Sequence, residues 1–287
     1  MYRRIIIHSL VVGLLILAGC NSLPATGPSS GGTSELTPAP IPTASSQTPS
    51  PAQLAPGVAS YGVTDLNALS TAHHESLQNV SYTRTETVTA VFANGTIRDR
   101  FNLTARVTDD RSRIFISITQ SAHASSGHSA ITYELWANRT QAVSQRNSSS
   151  NTSYRTDTRR NRSVVIEEWT RTRTGFTTSY AASEMNVVEF QTENRTVIEV
   201  TGQPPPTVIT DQLITPADSY TTAVVGPQGR IYNYTAQYHA MLKNPPTEAT
   251  TVENTSVDVT HTVQFTSINS TTVARPSWFD TAITNRK

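Results

Sequence analysis

The feature that most limits how this chain can fold is an alternation of apolar and polar residues that recurs along much of the chain after about residue 80. In residues 97–107, Ile97, Phe101, Leu103, Ala105 and Val107 alternate with Arg, Asn and Thr. A period of two places the apolar side chains on one face of a β-strand. Because the other face of each strand is polar and is expected to meet water, the pattern favours antiparallel pairing over a parallel sheet buried on both faces.

Turn signals separate successive runs and predict hairpins. Asn94-Gly95 stands between a Thr- and Val-rich run, Tyr82–Phe92, and the run Ile97–Val107. Gly226-Pro227-Gln228-Gly229 joins residues 220–225 to residues 231–238 in the same way. Further strands are predicted at residues 114–118, 131–135, 187–190, 197–200 and 257–265.

One helix is predicted ahead of these strands. Thr64 or Asp65 can cap its first turn. Apolar residues then recur at roughly helical spacing at Leu66, Leu69, Ala72 and Leu77. The predicted fold class is therefore α+β with β dominant, as a curved antiparallel sheet or half-open barrel with one or a few packed helices.

The N-terminus predicts export and lipidation. Arg3 and Arg4 precede an apolar stretch at residues 5–18, which is typical of a signal-peptide core and shorter than the roughly 20 residues of a spanning helix. The stretch ends in Leu17-Ala18-Gly19-Cys20, which resembles the lipobox of prokaryotic lipoproteins. The resemblance implies cleavage of residues 1–19 and a lipid on Cys20, the only cysteine of the chain. An ordinary secretory signal followed by a chance cysteine is the alternative.

The next segment is typical of a spacer. Residues 21–56 hold eight of the sixteen prolines and consist largely of Pro, Ser, Thr, Gly and Ala. Such a composition cannot bury enough apolar surface to order the chain. We therefore expect a lipid-anchored tether over residues 20–57 and one β-rich extracytoplasmic domain over residues 58–287, held at the outer face of the cytoplasmic membrane. Arg3-Arg4 also looks like a twin-arginine export signal, with the general secretory route as the alternative.

The pattern Asn-x-Ser/Thr occurs far more often than composition predicts. The chain has 16 Asn and 76 Ser and Thr among its 287 residues, so chance predicts about four such sequons. Eleven are present, at Asn79, Asn94, Asn102, Asn138, Asn147, Asn151, Asn161, Asn194, Asn233, Asn254 and Asn269. The excess predicts a glycosylated, exposed surface.

Several chemical functions find no support in the sequence. The formal net charge is +1, which lacks the basic excess of a nucleic-acid-binding protein. The seven His form no HExxH motif, so no metal site and no cofactor are predicted. Gly127-His128-Ser129 lacks the second Gly of a nucleophile elbow, and Glu167-Glu168 would splay apart on a strand. We expect a protein that is not an enzyme, with an unrecognised hydrolase as the minor alternative.

Several of these segments together resemble an uncharacterised lipoprotein family of halophilic archaea. The resemblance rests on the lipobox, the Pro/Thr tether, the helix with His73, Gly229-Arg230-Ile231 and Thr271-Thr272-Val273-Ala274-Arg275-Pro276-Ser277-Trp278-Phe279. Families of this kind are similar in architecture to the bacterial lipoprotein carrier LolA, a half-open barrel lined with apolar side chains and plugged by helices. The resemblance implies no catalytic residues.

Two functions stay open at this point. The first is a surface-anchored carrier whose curved sheet binds an apolar ligand such as a lipid or isoprenoid. The second is a non-catalytic structural or interaction protein of the envelope, with a filled core and no ligand. The interior separates them, because a carrier needs a gap where an interaction protein has packed side chains.

Overall fold

The computed structural model describes residues 53–122, 130–149, 151–157, 170, 184–191, 195–202, 213–214, 219–243 and 256–284. Backbone contacts divide the chain into two units, Met1–Thr48 and Pro49–Lys287, and every described residue belongs to the second. Within the described part, no helix is long and apolar enough to cross a membrane.

The helices and strands follow one another in an order dominated by β-structure. In chain order they are β1 (Gln53–Ala55), β2 (Val58–Ala59), β3 (Gly62–Val63), α1 (Leu66–Ser76), β4 (Tyr82–Phe92), β5 (Ile97–Val107), β6 (Ile114–Ala122), β7 (Ile131–Ala137), β8 (Ala142–Ser148), β9 (Asn151–Asp157), β10 (Glu184–Gln191), β11 (Arg195–Gly202), β12 (Leu213–Ile214), β13 (Ser219–Val225), β14 (Ile231–Leu242), β15 (Ser256–Thr266) and α2 (Phe279–Thr284).

Most strands form a single antiparallel sheet. Its order is β10-β11-β13-β14-β15-β4-β5-β6-β7-β8-β9, and β12 pairs with β14 beside this path. The short strands β1 to β3 form a separate three-stranded sheet. The described strands of the large sheet do not close into a barrel, because β10 and β9 lie at opposite ends of the order. The predicted α+β, β-dominant class with a curved antiparallel sheet and packed helices is confirmed.

The alternation in the sequence divides the sheet into two faces. The inner face carries the buried residues of each strand, and the outer face carries the polar ones. The main core packs inner-face side chains of the central strands, among them Tyr82, Val88, Leu103, Ile116, Leu135, Tyr238, Val259 and Phe265. A second inner-face cluster packs Leu69 of α1 against Ile198, Val225 and Ile231. The apolar phase predicted for β5 therefore faces the core from Phe101 to Val107, but Ile97, at the start of the strand, is 40% exposed.

Helix α1 begins where the sequence predicts it and packs against the inner face of the sheet. The Asp65 side chain accepts the Ala68 N–H at 2.9 Å and caps the first turn. Two Arg bind the carbonyls at the other end. The Arg230 Nη2 group donates to the Ser76 carbonyl at 2.7 Å, and Arg111 Nη2 donates to the Leu77 carbonyl at 3.0 Å. These guanidinium groups satisfy carbonyls that have no partner within a helix and complement its dipole.

Because of these two contacts, α1 bridges distant parts of the sheet. Arg111 lies in the turn between β5 and β6, and Arg230 lies in the turn between β13 and β14. Strands β15 and β4 separate those two hairpins in the sheet. The helix therefore ties two turns together across the curvature of the sheet.

The described residues on which the family resemblance rests contribute to packing, at the contact between a turn and α1 and on the outer face of the sheet. The turn residue Gly229 approaches α1 so closely that an added Cβ would lie 2.5 Å from the Cβ of Ala72. The closing stretch runs along the outer face of the sheet, where Trp278 and Phe279 pack with Trp136. Helix α2 and strands β8 and β9 belong to this region and are not predicted from the sequence.

Candidate functional site

The outer face of the sheet presents polar side chains in register across many strands. Nine of them, one on each strand from β13 to β9, form a line that we call the hydroxyl row. Its members are Thr222, Thr235, Thr262, Thr87, Asn102, Thr119, Thr132, Asn147 and Thr152. Neighbouring members lie on strands about 4.8 Å apart. Since every second residue of a strand shares a face, in-register pairing brings the polar residues of all nine strands into one line.

Hydrogen bonds run along the row. The Thr87 hydroxyl donates to Asn102 Oδ1 at 3.3 Å, and Asn102 Nδ2 donates to Thr119 Oγ1 at 3.4 Å. The hydroxyls of Thr235 and Thr262 are 3.3 Å apart. At the far end, Asn147 Oδ1 is buried and has no hydrogen-bond partner among the described residues. None of the nine members is ionisable, so their side chains can offer hydrogen bonds but no charge.

Three predicted sequon asparagines lie in strands on this face. Asn102 and Asn147 belong to the hydroxyl row, and Asn233 lies on the outer face of β14, opposite Gln264 of β15. Asn151 is the first residue of β9 and is exposed. These residues therefore lie on the polar face of the sheet or are exposed, as a residue that carries an N-linked sugar must be.

Four more sequon asparagines lie in turns and loops, namely Asn79, Asn94, Asn138 and Asn269. Asn94 Oδ1 accepts the Thr96 N–H at 2.9 Å, and Asn138 Oδ1 accepts the Thr140 N–H at 3.0 Å. Such Asx-turns hold the amide oxygen against the backbone. The nitrogen lies on the opposite side of the planar group.

The remaining predicted modification sites lie outside the described residues. They are the lipidation residue Cys20 and the sequon residues Asn161, Asn194 and Asn254. Gly127-His128-Ser129 and Glu167-Glu168 also lie outside them.

A buried cluster of charged residues interrupts the apolar inner face. Arg84 Nη2 lies 2.8 Å from Glu86 Oε2, and His261 Nε2 lies 2.9 Å from Glu86 Oε1. Burial opposes ionisation of Glu86, but the hydrogen bond from His261 and the charge of Arg84 outweigh it and lower the pKa of Glu86 to about 2. This cluster is not predicted from the sequence. Its signal was the presence of Arg84, Glu86 and His261 in the apolar phase of their strands.

The cluster does not have the composition of a metal site. Among the described residues, no group of three His, Cys, Asp or Glu side chains is placed to hold a metal ion. The pair His239–Asp258, 2.9 Å apart, is a second contact between His and a carboxylate, and it lies on the outer face. A groove of about 550 Å³ between the β5–β6 turn and the closing stretch is polar, with Ser81 and Arg113 in its wall.

His73 is buried where α1 meets the sheet. Its Nδ1 accepts the Ile231 N–H at 3.1 Å, and its ring meets the Phe265 ring edge-on with the centroids 4.8 Å apart. Burial and, next, the charge of Arg230 lower the pKa of His73 to about 3. Since Nδ1 accepts a hydrogen bond, the folded protein holds this histidine in its neutral form.

The fold is therefore expected to lose stability in mild acid. The pKa of His73 is lowered on folding, so its contribution is complete above pH 6.5 and declines as the pH falls toward 3. The expected loss is about 1.4 kcal/mol per pH unit, or about 2 kcal/mol at pH 5. Urea unfolding at pH 7.5 and pH 5 measures it. His73→Asn keeps an acceptor near the position of Nδ1 and should flatten this dependence, whereas His74→Asn should keep it. Equal pH profiles for wild type and His73→Asn would contradict the assignment.

Comparison with known proteins adds no assignment. No family model matches the chain, and no curated protein sequence is significantly similar to it. The function is therefore argued from the residues and their arrangement.

Proposed function

We propose that this protein is a membrane-anchored, N-glycosylated surface lipoprotein of the envelope that acts through the outer face of a filled, non-catalytic β-body. In this proposal the signal of residues 1–19 directs export, by the twin-arginine route, and Cys20 carries the lipid. Residues 20–52 form the tether that presents the body. The boundary predicted at residue 57 lies too far along the chain, because Gln53–Ala55 already form β1 and Ala55 is buried in the core. Membership of the halophilic archaeal lipoprotein family that the chain resembles is part of the same proposal.

The packing of the inner face is the observation that favours an interaction protein with a filled core over a lipid carrier. Ala105, Val107, Ile114 and Ile116 on β5 and β6 are each 0% exposed. A ligand pocket has a volume of roughly 300–1,000 Å³, and a gap of that size would leave its lining side chains accessible. The side chains of this face therefore support a core filled by the protein itself.

The carrier hypothesis requires a different state of the same sheet. A lipid or isoprenoid could enter between the inner-face side chains only if β4 to β7 separated from the elements packed on them. Such a rearrangement would expose apolar surface at about 25 cal/mol per Å² unless the ligand covered it again. A protein that acts through its outer face needs no such rearrangement.

The positions of the sequons support the proposal that the protein is N-glycosylated and acts through its outer face. The sequon residues Asn102, Asn147 and Asn233 lie in strands on the polar face, and none of them lies on the inner face. N-linked glycans at these positions would leave the core undisturbed. A neutral, hydrated face of this kind suits contact with other polyhydroxylated components of an envelope.

Intact-mass measurement of the full-length protein tests the anchor and the core together. The protein is purified in detergent from membranes of a host that processes lipoproteins and N-glycosylates exported chains. We expect a chain that begins at Cys20, with added masses for a lipid and for glycans, and no further mass that native spectrometry loses on extraction with organic solvent. Cys20→Ser should appear in the medium or remain unprocessed.

Ser22→Ala, two residues beyond the anchor, is the matched control and should keep both the membrane attachment and the processing of wild type. Unchanged attachment and processing of Cys20→Ser would refute the anchor. An extractable lipid or isoprenoid mass, stoichiometric with the chain, would refute the filled core and favour the carrier.

A further inference from the structure

The amide of Asn102 has a defined orientation within the hydroxyl row. Its Oδ1 accepts from Thr87 on the β4 side, at 3.3 Å, and its Nδ2 donates to Thr119 on the β6 side, at 3.4 Å. An N-linked sugar replaces one of the two hydrogens on Nδ2 and leaves the other to donate. A glycan at Asn102 would therefore leave the amide toward β6.

In that direction the row continues for three more strands. Thr132 follows on β7, Asn147 on β8 and Thr152 on β9. Asn147 Oδ1, without a partner among the described residues, is three strand spacings from Asn102, or about 14 Å. A buried acceptor without a donor is unfavourable, so turning the Asn147 side chain outward to meet a sugar donor would be stabilising.

The chemistry of this part of the row matches a neutral sugar chain. Hydroxyl and amide groups both donate and accept hydrogen bonds, as sugar hydroxyls do. No member of the row is ionisable, so nothing in it attracts a polyanion such as nucleic acid or an acidic peptide. Thr119 and Thr132 are directly paired on adjacent strands, which lie about 4.8 Å apart.

We propose that an N-linked glycan on Asn102 lies along the hydroxyl row across β6, β7 and β8, instead of extending into solvent. Its hydroxyls bond Thr119 and Thr132, and a donor from it reaches Asn147 Oδ1. This inference rests on the proposed function, because it requires Asn102 to be glycosylated. It adds that the row is the binding surface for the chain's own sugar.

A double-mutant cycle on the full-length glycoprotein tests the contact. Thr104→Val removes the sequon of Asn102 but keeps Asn102 itself and the β-branched shape of residue 104. Thr132→Val removes one hydroxyl of the row and leaves the sequon Asn102-Leu103-Thr104 intact. Residues 104 and 132 lie on strands two apart, so without a glycan their effects on Tm should add.

We expect the glycan to raise Tm by about 2 °C, measured as the difference between wild type and Thr104→Val. In the Thr132→Val background this difference should fall below about 1 °C. The matched control is Thr262→Val, which removes a hydroxyl two strands away on the other side of Asn102. In that background the difference should stay at about 2 °C.

Additive effects of Thr104→Val and Thr132→Val in a protein that carries the Asn102 glycan would overturn this inference and leave the proposed function standing. Glycan occupancy is read from the tryptic peptide of residues 101–106, which Arg100 and Arg106 delimit. An unmodified peptide would overturn both the inference and glycosylation at this site. Dextran is a neutral foreign polymer that should bind the row only when no glycan covers it. If wild type bound dextran as tightly as Thr104→Val does, the row would be open in the glycoprotein, and the inference would be overturned.

Discussion

Glu86→Gln is expected to lower the free energy of unfolding by about 3–5 kcal/mol, because it removes the charge at the centre of a buried ionic cluster. The carboxylate accepts from Arg84 at 2.8 Å and from His261 at 2.9 Å. Glutamine keeps the shape but offers only one acceptor oxygen and no charge. The buried guanidinium then loses the anion that compensates its desolvation. Urea unfolding followed by tryptophan fluorescence measures the change.

The pH dependence of the same variant gives a second readout. The pKa of Glu86 is lowered on folding from 4.5 to about 2, so its contribution is complete above pH 4.5 and is lost as the pH falls toward 2. Glu86→Gln has no carboxyl to titrate. The difference in stability between wild type and variant should therefore shrink as the pH falls through that interval.

Asp258→Asn is the matched control for this prediction. Asp258 also contacts a histidine, His239, at 2.9 Å, but the two side chains are 75% and 62% exposed. Solvent screens such a pair, and its loss should cost less than about 1 kcal/mol. If Glu86→Gln cost no more than Asp258→Asn, the buried cluster would contribute nothing beyond an exposed pair.

Gly229→Ala is expected to cost about 2–5 kcal/mol, for two separate reasons. Gly229 has φ +77°, a left-handed conformation that costs a residue with a Cβ about 1–2 kcal/mol. Its added Cβ would also lie 2.5 Å from the Cβ of Ala72, so that the turn and α1 would have to move apart. Overpacking of this kind typically costs about 1–3 kcal/mol, which adds to the cost of the backbone conformation. The midpoint of urea unfolding measures the sum.

Gly95→Ala separates the two causes. Gly95 lies in the hairpin turn between β4 and β5 with φ +84°, and nothing lies within 4 Å of the position that its Cβ would take. This variant should lose only the backbone contribution, about 1–2 kcal/mol. Equal losses for Gly95→Ala and Gly229→Ala would mean that the approach of the turn to α1 is readily relieved.

Local patterns in the sequence account for the strands and hairpins that were predicted. The hairpin of β4 and β5 and the helix capped by Asp65 depend on periodicity and turn chemistry within a dozen residues. Strands β8 and β9 were missed because few of their residues are buried, so they carry little alternation. Helix α2 has six residues and depends on contacts with Trp136, far away in the sequence.

The hydroxyl row could be anticipated only in part. Alternation places Asn102 on the polar face of its strand, and that is where it lies. Its alignment with Thr119 and Thr132 depends on the register of three strands, which loops of different length determine. The buried cluster is similar, because Glu86 and His261 meet only when β4 pairs with β15.

The contacts of Arg111 and Arg230 with the end of α1 also limit the order in which the chain can fold. The helix ends at Ser76, but its partner Arg230 lies 154 positions later, and Phe279, which packs on Trp136, comes later still. Contacts between such distant residues slow folding, since a long loop must close before they form. A ribosome must therefore release most of the domain before α1 can dock. Until then the early hairpins exist with unpaired edge strands, and a chaperone would meet an incomplete sheet.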